Sequence, residues 1–181
     1  FASNGIEALR VSLNRAYRVS ENRSFIFRRA QSVLFVFITT IGFLAISFLL
    51  VLAPLAVRIA VQYMPWVEPY VGTITIWRYL LASTVIVIGL VAAHAWLPAG
   101  KRGLLDIVPG IVFTLAAWLL GSMGFATYLE HFSSYASTYA GLASIMVAVV
   151  FLYMISMIFI LGGELNASIV RYREARAKVP G

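Results

Sequence analysis

The chain has 181 residues, of which 61% are apolar and only 12% charged, against about 45–50% and about 25% in a water-soluble domain; lipid is its solvent. It has no cysteine, which excludes disulfide frameworks, thiolate metal sites and cysteine nucleophiles. A formal net charge of +7 points to nucleic acid in a soluble protein, but in a membrane protein the informative quantity is the side on which the charges lie.

Residues 1–31 form no span. Ile6, Leu9, Leu13 and Tyr17 recur at helical spacing, with Arg10, Arg15 and Arg18 largely off that stripe, which predicts a helix with one wet side. Ser20, Glu21 and Asn22 break the pattern, so this segment reads as a basic amphipathic cytoplasmic elbow, its first residues also suiting the inner end of an earlier span. The first residue is Phe1 rather than Met, and no signal-peptide pattern follows it, so the chain is expected to begin partway through a longer product.

A helix needs about 20 mainly apolar residues to cross about 30 Å of hydrocarbon, because lipid satisfies no free backbone N–H or C=O group. Residues 32–57, 77–97, 107–129 and 142–169 qualify, and 170–181 form a tail. The expected fold is all-α: a polytopic transmembrane helical bundle making one integral membrane domain over residues 1–181. Twelve of the 14 basic residues precede the first span, join the second to the third or follow the fourth, leaving only Arg58 and Arg78 on the other side. The positive-inside bias therefore puts both present ends in the cytoplasm.

The opposite side carries aromatics: Tyr63, Trp66, Tyr70, Trp77 and Tyr79 in one connection, Tyr128, Phe132, Tyr135 and Tyr139 in the other. Such belts sit at the membrane–water interface. Pro65 and Pro69 disfavour a continuous helix, so residues 62–75 read as a short structured loop at headgroup level, an anchor or a ligand contact. At the fourth span Ala136, Ala140, Ser144 and Ala148 repeat every four residues, and Gly162 and Gly163 admit another backbone. Static packing and a seam that slides during transport both fit these small residues.

Catalytic chemistry is poorly provided for. Asp106 and six glutamates are scattered over both sides, and His94 and His131 are separated by about a bilayer's thickness. No GxSxG, phosphate-cradling glycine loop or HExxH occurs, so no catalytic residue, metal or cofactor is assigned and the protein is read as a non-enzyme. The elbow arginines with Tyr17, Phe25 and Phe27 suit RNA in principle, but the inside bias and anionic headgroups already account for them, so no nucleic-acid partner is expected. Polar groups at depth are better pointers, since hydrocarbon charges about 2.5–3.5 kcal/mol for an ionised side chain on insertion scales. Glu164 is the clearest: either a proton-coupling or substrate-contacting carboxylate, or a structural partner for an elbow arginine or Arg171. His94 with Trp96 and Pro98, and Pro109 with Gly110, shape a turn.

Several segments in order, SLNRAYRVSENRSF at residues 12–25, WLPAGKRGLLDIVPG at 96–110, and SSYASTYAGL followed by LGGELNASIVRYR, resemble the YihY/BrkB family of bacterial inner-membrane proteins. Departures are local: Ala99 after the Leu-Pro pair, Ala140 and Gly141 in place of Tyr-Gly, and GGELN for GAELN. The resemblance implies about six spans with cytoplasmic termini, two of them preceding Phe1. It also implies links to virulence, serum resistance and envelope lipid or lipopolysaccharide handling, under an old ribonuclease BN label regarded as misassigned. The leading expectation is a membrane protein that moves or organises envelope lipids or another amphiphile. Asn14, Arg15, Tyr17 and Arg18 in the elbow and Glu164 and Asn166 opposite them are its candidate substrate or gating residues. Expected partners are membrane lipids, including anionic lipid or lipopolysaccharide. The alternative is an assembly partner of another membrane protein or a homo-oligomer, with ribonuclease activity a remote third reading.

Overall fold

A computed structural model describes residues 1–131 and 140–177, and all regular structure among the described residues is helical. Among the described residues six α-helices follow in order: α1 (Ala2–Tyr17), α2 (Phe25–Ser47), α3 (Ala53–Tyr63), α4 (Val71–Trp96), α5 (Leu104–His131) and α6 (Ala140–Ala177). Among the described residues four helical stretches are long and apolar enough to cross a membrane: Phe25–Tyr63, Pro65–Trp96, Leu104–His131 and Ala143–Ala177. The all-α, four-span expectation is met, and the helices overrun their apolar windows because a helix does not stop where its side chains turn polar.

The first stretch is interrupted by a π-helical turn, Phe48–Leu52, in which the Ala53 N–H donates to the Phe48 carbonyl. Pro54 is the physical cause. It has no N–H, and its ring collides with the carbonyl four residues back; one wider turn relieves both problems without ending the span. The loop expected over 62–75 is shorter than its prolines suggested: α3 runs to Tyr63, Pro65–Tyr70 is a 3₁₀ turn, and α4 is regular from Val71. Pro65 opens the Pro65–Trp96 run, where proline is tolerated because the first N–H groups lack intrahelical acceptors, and Pro69 lies inside the 3₁₀ turn.

The chain divides into two compact units, Phe1–Glu7 with Arg23–Ala93, and Ala8–Asn22 with His94–Gly181. In the first, Ser24 caps α2 through the Phe27 N–H, and Gly42 of α2 faces Val85 of α4. Arg29 Nη1 donates to Asn4 Oδ1 at 2.9 Å, and the fully buried Ser32 hydroxyl donates to Glu7 Oε2 at 3.3 Å, fastening the start of α1 to α2.

In the second unit α5 and α6 form an antiparallel pair. Trp118 Nε1 donates to the Ile155 carbonyl at 3.0 Å, Gly121 faces Met154 and Ile158, and Phe125 packs on Phe151 with ring centroids 5.5 Å apart. Gly103 and Asp106 close the start of α5 reciprocally: the Gly103 N–H donates to Asp106 Oδ2, and the Asp106 N–H to the Gly103 carbonyl.

Candidate functional site

The polar residues of interest gather in the second unit around Asn166. Pro109 lies in the second turn of α5, where its missing N–H and bulky ring disturb local helical bonding. Fully buried Asn166 reaches this turn from α6. Its Oδ1 accepts from the Gly110 N–H at 2.6 Å, while its Nδ2 donates to the Ile107 carbonyl at 3.1 Å and the Tyr17 hydroxyl at 3.3 Å. Both amide hydrogens and the amide oxygen are used, which is what makes the burial affordable.

Glycine permits this approach. A Cβ on Gly110 would overlap the Gly162 carbonyl and the Asn166 amide; one on Gly162 would overlap Thr114 Oγ1 and stand 2.8 Å from the Gly110 carbonyl oxygen. Thr114, also fully buried, donates to that same carbonyl at 2.7 Å. Gly163 receives Leu13 of α1, whose Cδ2 would lie 2.6 Å from an added Cβ.

The last turn of α1 completes the site. Arg18 has φ 54°, and the chain closes in a Schellman motif: Arg18 N–H to the Arg15 carbonyl and Val19 N–H to the Asn14 carbonyl, each at 3.0 Å. Asn14 Oδ1 accepts from the Ala99 N–H at 2.7 Å, and its Nδ2 donates to Glu21 Oε2 at 3.0 Å. Glu21 also pairs with Arg10 at 3.7 Å, an arginine only 1% exposed. The Arg102 guanidinium lies 3.8 Å from the Tyr17 ring centroid and donates to the Ala99 carbonyl at 2.7 Å. Burial pushes the Tyr17 phenol above its ordinary pKa, while the Asn166 hydrogen bond and the Arg102 charge pull it back. Arg171 Nη1 donates to the Ala16 carbonyl at 3.3 Å, satisfying an acceptor at the C-terminus of α1.

Asn14, Tyr17 and Asn166 thus meet in one buried knot, Tyr17 and Asn166 in direct contact and Asn14 through the 97–103 connection. Arg15, Arg18 and Glu164 are exposed. Glu164 does not pair with Arg171 or the elbow, and among the described residues it has no ion-pair partner. Residues two apart on an α-helix point about 200° away from each other, so burying Asn166 turns Glu164 outward. Arg10, read as lying on the wet side of α1, is buried: the buried residues of α1 are Arg10, Leu13, Asn14 and Ala16, of which only Leu13 belongs to the apolar stripe. Gly162 and Gly163 are buried at helix contacts, whereas Ser144 and Ala148 are exposed. Ala136, Phe132, Tyr135, Tyr139 and the side chain of Ala140 lie outside the described residues.

Sequence reasoning missed Arg10, Glu21, Ala99, Arg102 and Thr114 as members of the knot. Pro109-Gly110 was a usable signal for Asn166, since a helix carrying proline needs outside hydrogen-bond partners. As chemistry, the knot fixes the last turn of α1 against α5, α6 and the 97–103 connection. Among the described residues no three His, Asp or Glu side chains gather where a metal could sit.

The ribonuclease-like protein YfkH of Bacillus subtilis is 32% identical over 166 residues, which cover 92% of this chain and 60% of that relative. The UPF0761 membrane protein PSHAa0171 of Pseudoalteromonas translucida is 30% identical over 90 residues, half of this chain and 30% of that relative. The chain therefore spans less than two thirds of the curated relatives it matches. No solved structure matches it. A family model described as Virulence factor BrkB matches residues 1–180, and the chain belongs to this family of membrane proteins.

Proposed function

We propose that the protein binds and organises, or moves, envelope lipid or another amphiphile in a bacterial inner membrane, with both present ends cytoplasmic, and that it does so without covalent chemistry. The observation that carries this reading is the division of labour among its polar side chains. Asn14, Tyr17 and Asn166 are consumed by the knot, whereas Arg15, Arg18 and Glu164 are left exposed on a membrane-embedded chain. Exposed arginines at the basic end suit anionic headgroups, and an ionisable side chain kept on the surface of a spanning helix is a functional pointer.

The test is lipid mass spectrometry on the full-length protein purified in mild detergent, wild type against Arg15→Ala and Glu164→Gln. A lipid retained by wild type and lost in a variant supports the reading and leads to a reconstituted flip assay. If all three carry bulk lipid only, lipid handling is rejected. If Glu164→Gln leaves lipid distribution and growth under envelope stress unchanged, the carboxylate has no role in transport.

Exposure of Ser144 and Ala148 supports a second reading, assembly with another membrane protein or a second copy through the small face of α6. One stoichiometric partner recovered with wild type and lost in Ala148→Leu, together with no specific lipid, favours it. The ribonuclease-like name of YfkH extends to this chain only as a third reading, which an RNA-cleavage assay on the purified full-length protein decides.

A further inference from the structure

Resting on the lipid-handling reading above, we propose that Arg15, Arg18 and Lys101 form a binding site for the phosphate of an anionic lipid headgroup. The three cations come from two places in the sequence, the end of α1 and the 97–103 connection, and are tied to one buried hydrogen bond. Asn14 Oδ1 accepts from the Ala99 N–H at 2.7 Å. Arg15 follows Asn14 directly, and Arg18 closes the turn whose Val19 N–H returns to the Asn14 carbonyl. Lys101 is held from both sides, by Ala99 at that bond and by Arg102 over the Tyr17 ring. Gly100, at φ +89°, makes the sharp turn between them.

Three further observations point to a ligand. All three side chains are exposed, and among the described residues none has an ion-pair or hydrogen-bond partner, unlike Arg10, Arg29, Arg102, Arg171 and Arg173. Arg18 occupies a left-handed backbone position that glycine would fill without strain. A side chain kept where it costs stability is being used. Finally, Leu104 and Leu105, 66% and 79% exposed, follow Lys101 within four residues. This places an apolar surface beside the charges, which suits a lipid and gives no advantage to a soluble phosphate.

The experiment uses native mass spectrometry of the full-length protein in mild detergent, titrated with phosphatidylglycerol or phosphatidylcholine. The variants are Arg18→Gly, the triple Arg15→Gln, Lys101→Gln, Arg18→Gln, and a charge-matched control, Arg29→Gln, Arg173→Gln, Arg176→Gln. At about 1 kcal/mol per cation near anionic lipid, each removal weakens binding roughly fivefold. Arg18→Gly should therefore lose about fivefold in phosphatidylglycerol affinity while its melting temperature holds or rises, a pairing that a merely structural arginine does not produce. The triple should lose about a hundredfold and the control less than about tenfold.

Equal losses in the triple and the control, or an Arg18→Gly that binds as wild type, overturn the site. Inorganic phosphate competing as strongly as the lipid also overturns it, assigning the cations to a soluble anion. If the triple still retains the wild-type lipid, this site fails and lipid handling stands. If wild type prefers no lipid, both fail.

Discussion

Replacing Asn166 by alanine tests the central structural claim. The substitution deletes three hydrogen bonds, of 2.6, 3.1 and 3.3 Å. Interhelical hydrogen bonds inside membrane proteins average about 0.6 kcal/mol each and reach about 1.7, while a buried donor left without an acceptor costs about 1–3 kcal/mol. The Gly110 N–H stands in the turn that Pro109 has already disturbed, so it carries the larger penalty. The expected loss is therefore about 2–4 kcal/mol. Tyr17→Phe removes only the longest of the three bonds and keeps the ring beneath Arg102, so it should cost about 0.5 kcal/mol. The assay is reversible denaturation in mixed micelles of detergent and SDS, followed by far-UV circular dichroism. An Asn166→Ala protein within about 0.5 kcal/mol of wild type, or a Tyr17→Phe protein as unstable as Asn166→Ala, refutes the knot as the fastening of the elbow.

Other consequences follow from the same contacts. Gly162→Ala should sharply reduce folded yield on fluorescence-detected size exclusion, and adding Thr114→Ala should restore only part of it, because the Gly110 carbonyl stays in the way of the new methyl. Since burial raises the Tyr17 pKa, the folded protein holds that proton where the unfolded chain has lost it. Stability should then fall as pH rises past the ordinary phenol value of about 10, and the fall should be shallower in Tyr17→Phe when the two are titrated in parallel. Glu164→Gln, at an exposed position without an ion pair among the described residues, should leave stability within about 0.5 kcal/mol of wild type in the same micelle assay. Gly5→Ala, in the first turn of α1 with nothing within 4 Å of the new methyl, should raise stability by up to about 1 kcal/mol.

Hydropathy was enough to find four spans because bilayer thickness and the cost of unpaired backbone groups act on the sequence directly, whatever the side chains later touch. Composition likewise showed that lipid is the solvent, and the LGGELN stretch advertised a close helix approach through its two glycines. Local chemistry was harder to read. The prolines at 65 and 69 looked like breakers; the break is there, at Met64, but it is one residue wide and Pro65 already begins the next helical run, because the outcome depends on where a helix starts.

Only tertiary structure decided which polar groups face inward. A hydrophobic stripe reports the buried face of a helix when that face packs on apolar atoms, but α1 buries Arg10 and Asn14 against Glu21 and the Ala99 N–H, so its inward face is partly polar and only Leu13 of its apolar stripe is fully buried. The same holds for Glu164 and Asn166, two neighbours in one motif. Which of them pairs and which stays exposed depends on helix rotation, and that rotation is set by the crossing of Gly110 and Gly162 between residues more than 50 positions apart.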